Sequence, residues 1–322
     1  MNEILLSSEV IVYLLAEVLL YLLLLVASIV TVNILKKWDF DQFTPSQFAL
    51  ENRTYLVMSI IFFVLLLKVL LLPYFVYTID TLSLLVPGAM CAAGVIDANE
   101  YGNPLLALKI VILFLSGLWL FINHVDLEAK RYPYIRLKSW LYLLVFLFLS
   151  AEMVLDVLYF IHIDTVNPVS CCSVIFGISG GSNRIPFGLD TTKLLVLFYL
   201  LYLLLLFTVY SKSFGLRVGI ALSFLWSAYY SMVYFFGTYI YELPTHQCPF
   251  CMLQKEYYFV GYLLWGLLLL GIFLSVLSAI AQTFFDRVSK EMNRIWVGLL
   301  TLFVLICSGY VGVYYFKNGV FL

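Results

Sequence analysis

Leu19-Leu20-Tyr21-Leu22-Leu23-Leu24-Leu25-Val26-Ala27-Ser28-Ile29-Val30-Thr31-Val32-Asn33-Ile34-Leu35, closed by Lys36-Lys37, decides the class of this chain. Extended back to residue 10, the run carries a single formal charge, Glu17. A helix rises about 1.5 Å per residue, so ~20 apolar residues cross ~30 Å of hydrocarbon. Seven further runs of this kind follow. The eight spans cover about 8–35, 54–78, 104–123, 139–161, 192–211, 217–241, 256–281 and 295–316. They are continuous and Leu-rich and do not alternate with period two, which favours helices over a barrel. The expected fold is all-α: a polytopic membrane helix bundle of eight spans in one integral membrane domain, 1–322.

Composition agrees. Of 322 residues 64% are hydrophobic and 11% charged, against about 25% charged in soluble domains. The net charge of −1 and the lack of a basic tract argue against nucleic acid. No Gly-rich phosphate loop is present, which argues against a nucleotide site. Glu3 and Glu9 stand where a cleaved signal needs Lys or Arg, so the first run is read as a retained helix.

Orientation follows from the basic residues. Lys36, Lys37 and Arg53; Lys130, Arg131, Arg136 and Lys138; Lys212 and Arg217; and Arg287, Lys290 and Arg294 fall on one side. The other side has Lys109, Arg184, Lys193, Lys255 and Lys317. The positive-inside rule then places both termini outside the cytoplasm, in a bacterial-type inner membrane. Trp38, Phe40, Phe43 and Phe48 are expected at the opposite, inner lipid interface.

Five of the six cysteines fall in three outer loops, 79–103, 162–191 and 242–255. They are Cys91, the adjacent Cys171 and Cys172, and Cys248 and Cys251 in Cys-Pro-Phe-Cys. Each loop carries Pro-x-x-x-Cys, from Pro87, Pro168 and Pro244, so the chain reads as a threefold helical-hairpin repeat or as three helix ends with a cysteine nearby. The small, apolar stretch Leu84 to Gly94 is a candidate re-entrant segment. Gly180-Gly181-Ser182-Asn183 is the turn signal of the second loop. Outside the cytoplasm disulfides persist.

Three chemistries suit these thiols. Cys248 and Cys251, read at the start of the seventh helix, would feel its positive end, with Lys255 one turn on and His246 as a base or donor, making a reactive dithiol. Cys91, Cys172, Cys248, Cys251 and His246, with Met90, Met252 and His162 nearby, are ligand types that select a soft metal such as copper. Structural disulfides bracing the loops of a complex subunit are the third reading. Adjacent Cys171 and Cys172 are poorly placed to bridge each other, their Cα atoms being about 3.8 Å apart. Cys307 lies within the last span as an apolar filler.

Cys248-Pro249-Phe250-Cys251-Met252-Leu253-Gln254-Lys255 resembles the Cys-x-x-Cys-x-x-Gln-Arg segment of DsbB-type membrane thiol oxidases, four-helix proteins that pass electrons from periplasmic thiols to a quinone. The resemblance covers these eight residues and departs at Lys255, where the family has Arg. The family's second cysteine pair follows in a later outer loop, whereas here one span remains. The resemblance implies that Cys248 and Cys251 are the quinone-proximal pair and that Gln254 and Lys255 lie near the quinone. Cys171 or Cys172 would relay to a periplasmic partner's thiols, with Cys91 auxiliary. On the metal reading the partner is a metal-carrier protein.

Two features lie inside the spans. Glu17, Lys68, Glu152 and Asp156 are ionisable groups in hydrocarbon, where insertion costs about 2.5–3.5 kcal/mol each, and they read as a proton path or an ion pair. Tyr229, Tyr230, Tyr234, Tyr239 and Tyr241, with Tyr257, Tyr258, Tyr262 and Trp265, flank the Cys-x-x-Cys turn. They form an interfacial aromatic belt or the wall of a quinone pocket, Tyr241 and Tyr258 being the nearest candidates.

Overall fold

A computed structural model describes residues 3–39, 44–129, 132–169, 188–211, 213–244, 246–285 and 290–322. Among them every regular element is helical. The long helices are α1 (Ser8–Lys37), α2 (Pro45–Leu82), α4 (Gly102–Glu128), α5 (Ile135–Ile161), α6 (Thr191–Tyr210), α7 (Phe214–Tyr241), α8 (Val260–Phe284) and α9 (Lys290–Asn318), with the short α3 (Ala92–Ile96) between α2 and α4. All eight long helices are long and apolar enough to cross a membrane. The molecule is a multi-pass membrane protein.

The inward faces explain the helices better than overall hydrophobicity does. Along α1 the buried residues are Val10, Tyr13, Glu17, Leu24, Ala27, Ser28, Thr31 and Ile34, spaced three, four or seven apart except for the adjacent Ala27 and Ser28. Such spacing makes one stripe on a 3.6-residue helix. The opposite face shows Leu15, Leu19, Val26 and Ile29, each more than half exposed. Polar side chains therefore point into the bundle and large apolar ones point out, the arrangement a lipid solvent selects.

The sequence reading takes the chain as one domain. The helices pack as two compact units, residues 1–169 and 170–322. In the first, α1 packs on α2 and α5, and α4 packs on α2 and α5, closing a ring of four. Its core runs through Leu24, Ile61, Leu65, Trp119, Tyr142 and Val145. In the second, α7 lies against α6 and α8, and α8 against α9. Phe198, Phe224, Phe236 and Phe303 form its aromatic centre, and Tyr202 donates to Thr301 across α6 and α9 (2.8 Å). Each unit is thus built of four long helices. Within each unit the longest connection described follows the second long helix.

α2 begins earlier than expected. Thr44 accepts from Gln47 N with Pro45 in the first turn, a helix start the apolar window did not include. Phe48 therefore lies on α2, largely exposed; Phe40 and Phe43 lie outside the described residues, as do Cys171, Cys172 and the Gly180–Asn183 turn. The connection after α2 carries the buried residues Val86, Cys91, Ala92 and Val95. It closes over the last turns of α2 and α5: Ala92 N donates to Asp80, Tyr159 OH to Val95 O, and Asn99 to Tyr159 O. Gly88 has a φ of +81°, and a Cβ there would lie 2.5 Å from Val169 O. Asp164 accepts from Val166 N and Asn167, which holds its carboxyl below the usual range.

Two basic residues assigned to inner loops are buried instead. Lys138 pairs with Asp126 (2.7 Å) and bonds Asn123. Arg217 bonds Gln282 (2.6 Å) and Ser278.

Gly102 opens α4 directly beneath the cap, and an added Cβ would sit 2.0 Å from Ile96 O and 3.0 Å from the Tyr159 ring. Overpacking of this kind costs about 1–3 kcal/mol. Gly102→Ala is expected to lower the thermal unfolding midpoint of the detergent-solubilised protein, whereas Gly298→Ala on α9, where an added Cβ meets nothing within 4 Å, is expected to leave it close to the parent value.

Candidate functional site

Two groups of chemistry-bearing side chains stand out, one in each unit. The first is the Cys-x-x-Cys turn of the second unit. Cys248 and Cys251 are both 5% exposed, and their sulfur atoms lie within 4.8 Å of each other. The turn is held by neutral hydrogen bonds. Tyr241 at the end of α7 donates to Cys248 O and accepts from Met252 N (3.0 Å). Trp265 of α8 donates to Pro249 O (3.3 Å). The rings of His246 and Tyr257 stand edge-on to Tyr241, with centroids 4.4 and 4.8 Å away.

The turn does not open a helix. Residues Cys251–Leu253 and Lys255–Tyr257 form separate 3₁₀ turns, Tyr258 and Phe259 adopt φ of 53° and 56°, and α8 starts only at Val260. The helix-dipole activation expected for Cys251 is therefore absent. The cause is packing: Met252 and Leu253 fold back onto α8 at Gly261, where a Cβ would meet Met252 Cγ at 2.5 Å. Of the residues assigned to a quinone, Tyr241 is buried against the turn and Gln254 is half-buried, while Lys255 is exposed and Tyr258 is 92% exposed. Burial, then the adjacent Cys251, then Glu256 push the Tyr257 hydroxyl above its ordinary value.

Cys91 is buried at the start of α3 in the first unit. Among the ligand types proposed with it, Met90 is exposed, and His162 caps α5 through Leu158 O (2.8 Å). Cys307 packs against Met232 in the second unit.

The second group lies within the first unit. Glu17, Lys68, Glu152 and Asp156 do come together, and the structure adds Lys109 and Tyr13. Lys68 Nζ donates to Glu17 Oε1 (2.7 Å), Glu17 Oε2 (2.6 Å) and Glu152 Oε2 (2.8 Å). Lys109 Nζ donates to Tyr13 OH (2.6 Å), Glu152 Oε1 (2.7 Å) and Asp156 Oδ2 (2.9 Å). Lys109 Nζ also stands 4.4 Å from the Phe75 ring centroid, a cation–π contact. All six groups are buried. Every long helix of this unit contributes: α1 through Tyr13 and Glu17, α2 through Lys68, α4 through Lys109, and α5 through Glu152 and Asp156. Two ammonium groups occupy the space among the three carboxylates, which leaves little room for a metal ion there.

Lys109 escaped the sequence reading because it sits seven residues from the start of α4, where it counted as an outer flanking charge. Its signal was the face it shares with Ile112, Ser116 and Trp119, all buried. Tyr13 escaped because tyrosine is ordinary near a membrane boundary; its signal was its place one turn before Glu17.

Tyr241→Phe removes both hydrogen bonds that pin the Cys-x-x-Cys turn, each worth about 1 kcal/mol. Alkylation of Cys248 and Cys251 in the folded protein is expected to quicken by roughly tenfold, followed by mass spectrometry. Gly261→Ala is expected to act in the same direction.

Comparison with known proteins finds no matching family, no matching curated protein and no matching solved structure.

Proposed function

We propose that the protein is a membrane-embedded thiol–disulfide oxidoreductase whose working pair is Cys248 and Cys251. The observation that supports this reading most is the placement of two buried sulfurs within 4.8 Å of each other in a turn fixed by Tyr241 and Trp265. A dithiol so held closes to a disulfide by a small rotation, whereas exposed thiols on a mobile loop would first have to be ordered.

The electron balance names the class of acceptor. Closing the Cys248–Cys251 bond breaks two S–H bonds, forms one S–S bond and releases two electrons and two protons. A quinone takes up the same number of each on becoming a quinol. It is also apolar enough to reach a buried pair from lipid. The aromatic residues Tyr229, Tyr241, Tyr257 and Trp265 around the turn suit a flat ring of this kind. In the reverse half-cycle a thiolate from a partner attacks the disulfide and passes its electrons in. An extracytoplasmic working face and a bacterial inner membrane belong to this same reading.

The test is mass-spectrometric mapping of thiol state in purified protein, with and without a short-chain quinone, and metal analysis on the same sample. The expected outcome is a Cys248–Cys251 bridge that forms with stoichiometric quinol. Cys248→Ser or Cys251→Ser should reduce quinol formation to background. A thiol state that quinone leaves unchanged would sink the proposal. Stoichiometric copper lost on either substitution would replace it with soft-metal handling.

A further inference from the structure

Counting protons in the buried network of the first unit leaves one unaccounted for. The six hydrogens of Lys68 and Lys109 are all used: three go to Glu17 and Glu152 from Lys68, and one each to Tyr13, Glu152 and Asp156 from Lys109. Tyr13 has one hydroxyl hydrogen and two candidate acceptors, Glu17 Oε1 at 2.9 Å and Asp156 at 3.1–3.2 Å. Whichever it serves, the other carboxylate needs a further proton to complete the contact. Among the described residues, the Tyr13 hydroxyl is the hydrogen-bond partner of Asp156 Oδ1 (3.2 Å).

The charge count agrees with the proton count. Glu17, Glu152 and Asp156 face Lys68 and Lys109, so the fully ionised set carries a net charge of −1 with every group buried. An uncompensated charge in so dry a place is costly, and binding a proton removes it.

We propose that these six side chains form a proton-relay site. The resident proton sits on Asp156 Oδ1 and donates to Tyr13 O, whose own hydrogen then goes to Glu17 Oε1. In one transfer the Asp156 O–H bond breaks as a Tyr13 O–H bond forms. The original Tyr13 O–H bond breaks as a Glu17 O–H bond forms. Asp156 ends as carboxylate, Glu17 as carboxylic acid, and the net charge of the site is unchanged. Lys109 donates to Tyr13 and Asp156, Lys68 to Glu17, and both to Glu152, so the ammonium groups steady both end states.

The Glu17 end opens on a cavity of about 20 Å³, lined by Tyr13, Glu17, Lys68, Lys109, Ser116 and Glu152 among others. That is room for one water. Ser116 is 1% exposed, and among the described residues its Oγ has no hydrogen-bond partner. A buried hydroxyl left without a partner beside a water-sized space, lined by these polar groups on one side and by Leu72, Phe75 and Ile112 among its apolar residues, marks where the relay would meet water. The relay lies wholly in the first unit, and its test does not involve the thiols.

The test is infrared difference spectroscopy of the full chain in lipid nanodiscs, titrated across neutral pH. The expected result is a protonated carboxyl C=O band that shifts in D₂O and is lost in Asp156→Asn. Asp164→Asn, on the exposed loop, should retain it, and Tyr13→Phe should displace it by removing the hydrogen-bond partner. Asp156→Asn mimics the protonated acid and should keep the thermal midpoint within about 4 °C of the parent, whereas Glu152→Gln loses contacts to both lysines and should lower it further. If Asp156→Asn does not fold, the parent spectrum and Tyr13→Phe decide. Absence of the band, its persistence in Asp156→Asn, or its indifference to D₂O or to Tyr13→Phe would overturn the proposal. So would a midpoint raised by sodium with no such band, which would indicate a bound cation.

Discussion

Hydrocarbon supplies no hydrogen-bond partners, so every polar group carried into a membrane must bring its partner with it. The backbone meets this demand by becoming helix, which accounts for eight long helices and no strand among the described residues. Side chains have to meet it by register. In the first unit Glu17, Lys68, Lys109, Glu152 and Asp156 lie on four different helices and converge within direct hydrogen-bonding reach. Sliding any one helix by a turn would strand a charge. Removing one partner from such a network costs about 3–5 kcal/mol, more than a single apolar contact in lipid contributes. The ionic centre therefore sets the register of the four helices, and apolar packing at Leu65, Trp119 and Tyr142 fills in around it.

Much of this was legible in the residues. Eight apolar runs announce eight helices because runs that are continuous and do not alternate with period two satisfy their backbone in lipid as helix and not as barrel, and Glu17, Lys68, Glu152 and Asp156 stand out as charges within those runs. What was not legible depended on tertiary structure. Lys109, Lys138 and Arg217 lie near span ends, where a sequence cannot distinguish a flanking charge from one turned inward. The residues from Cys251 to Phe259 have nothing that forbids a helix; it is the approach of Met252 and Leu253 to Gly261 that breaks it. The start of α2 at Thr44 was written in its capping residues, outside the window that hydropathy selects.

Cys251 opens a 3₁₀ turn and α8 starts only at Val260, which alters the chemistry open to the thiols. Without a helix N-terminus, no macrodipole lowers the cost of a thiolate there, and Lys255 points into the exposed surroundings of its own 3₁₀ turn. A reactive thiolate thus has less electrostatic support than the sequence implied, and what remains is the closeness of the two sulfurs, within 4.8 Å. Two sulfurs held close in a rigid, neutral, aromatic setting are better suited to joining each other than to attacking an outside target unaided. On the proposed reading, an apolar acceptor entering from lipid would need no charged group to guide it.

The two units share an order of helices but not an interior. One is built around five charges, the other around four phenylalanines with its buried arginine, Arg217, close to the start of α7. Either interior is compatible with the same outer surface, because lipid inspects only the outward face of each helix and the backbone is already satisfied within it. The inward stripe is thus free to specialise without altering the envelope. An ionic stripe fixes register. An aromatic stripe carries no charge to compensate and leaves the polar chemistry to the connection after the second helix, where Tyr241 and Trp265 reach out from helix ends to hold the thiols.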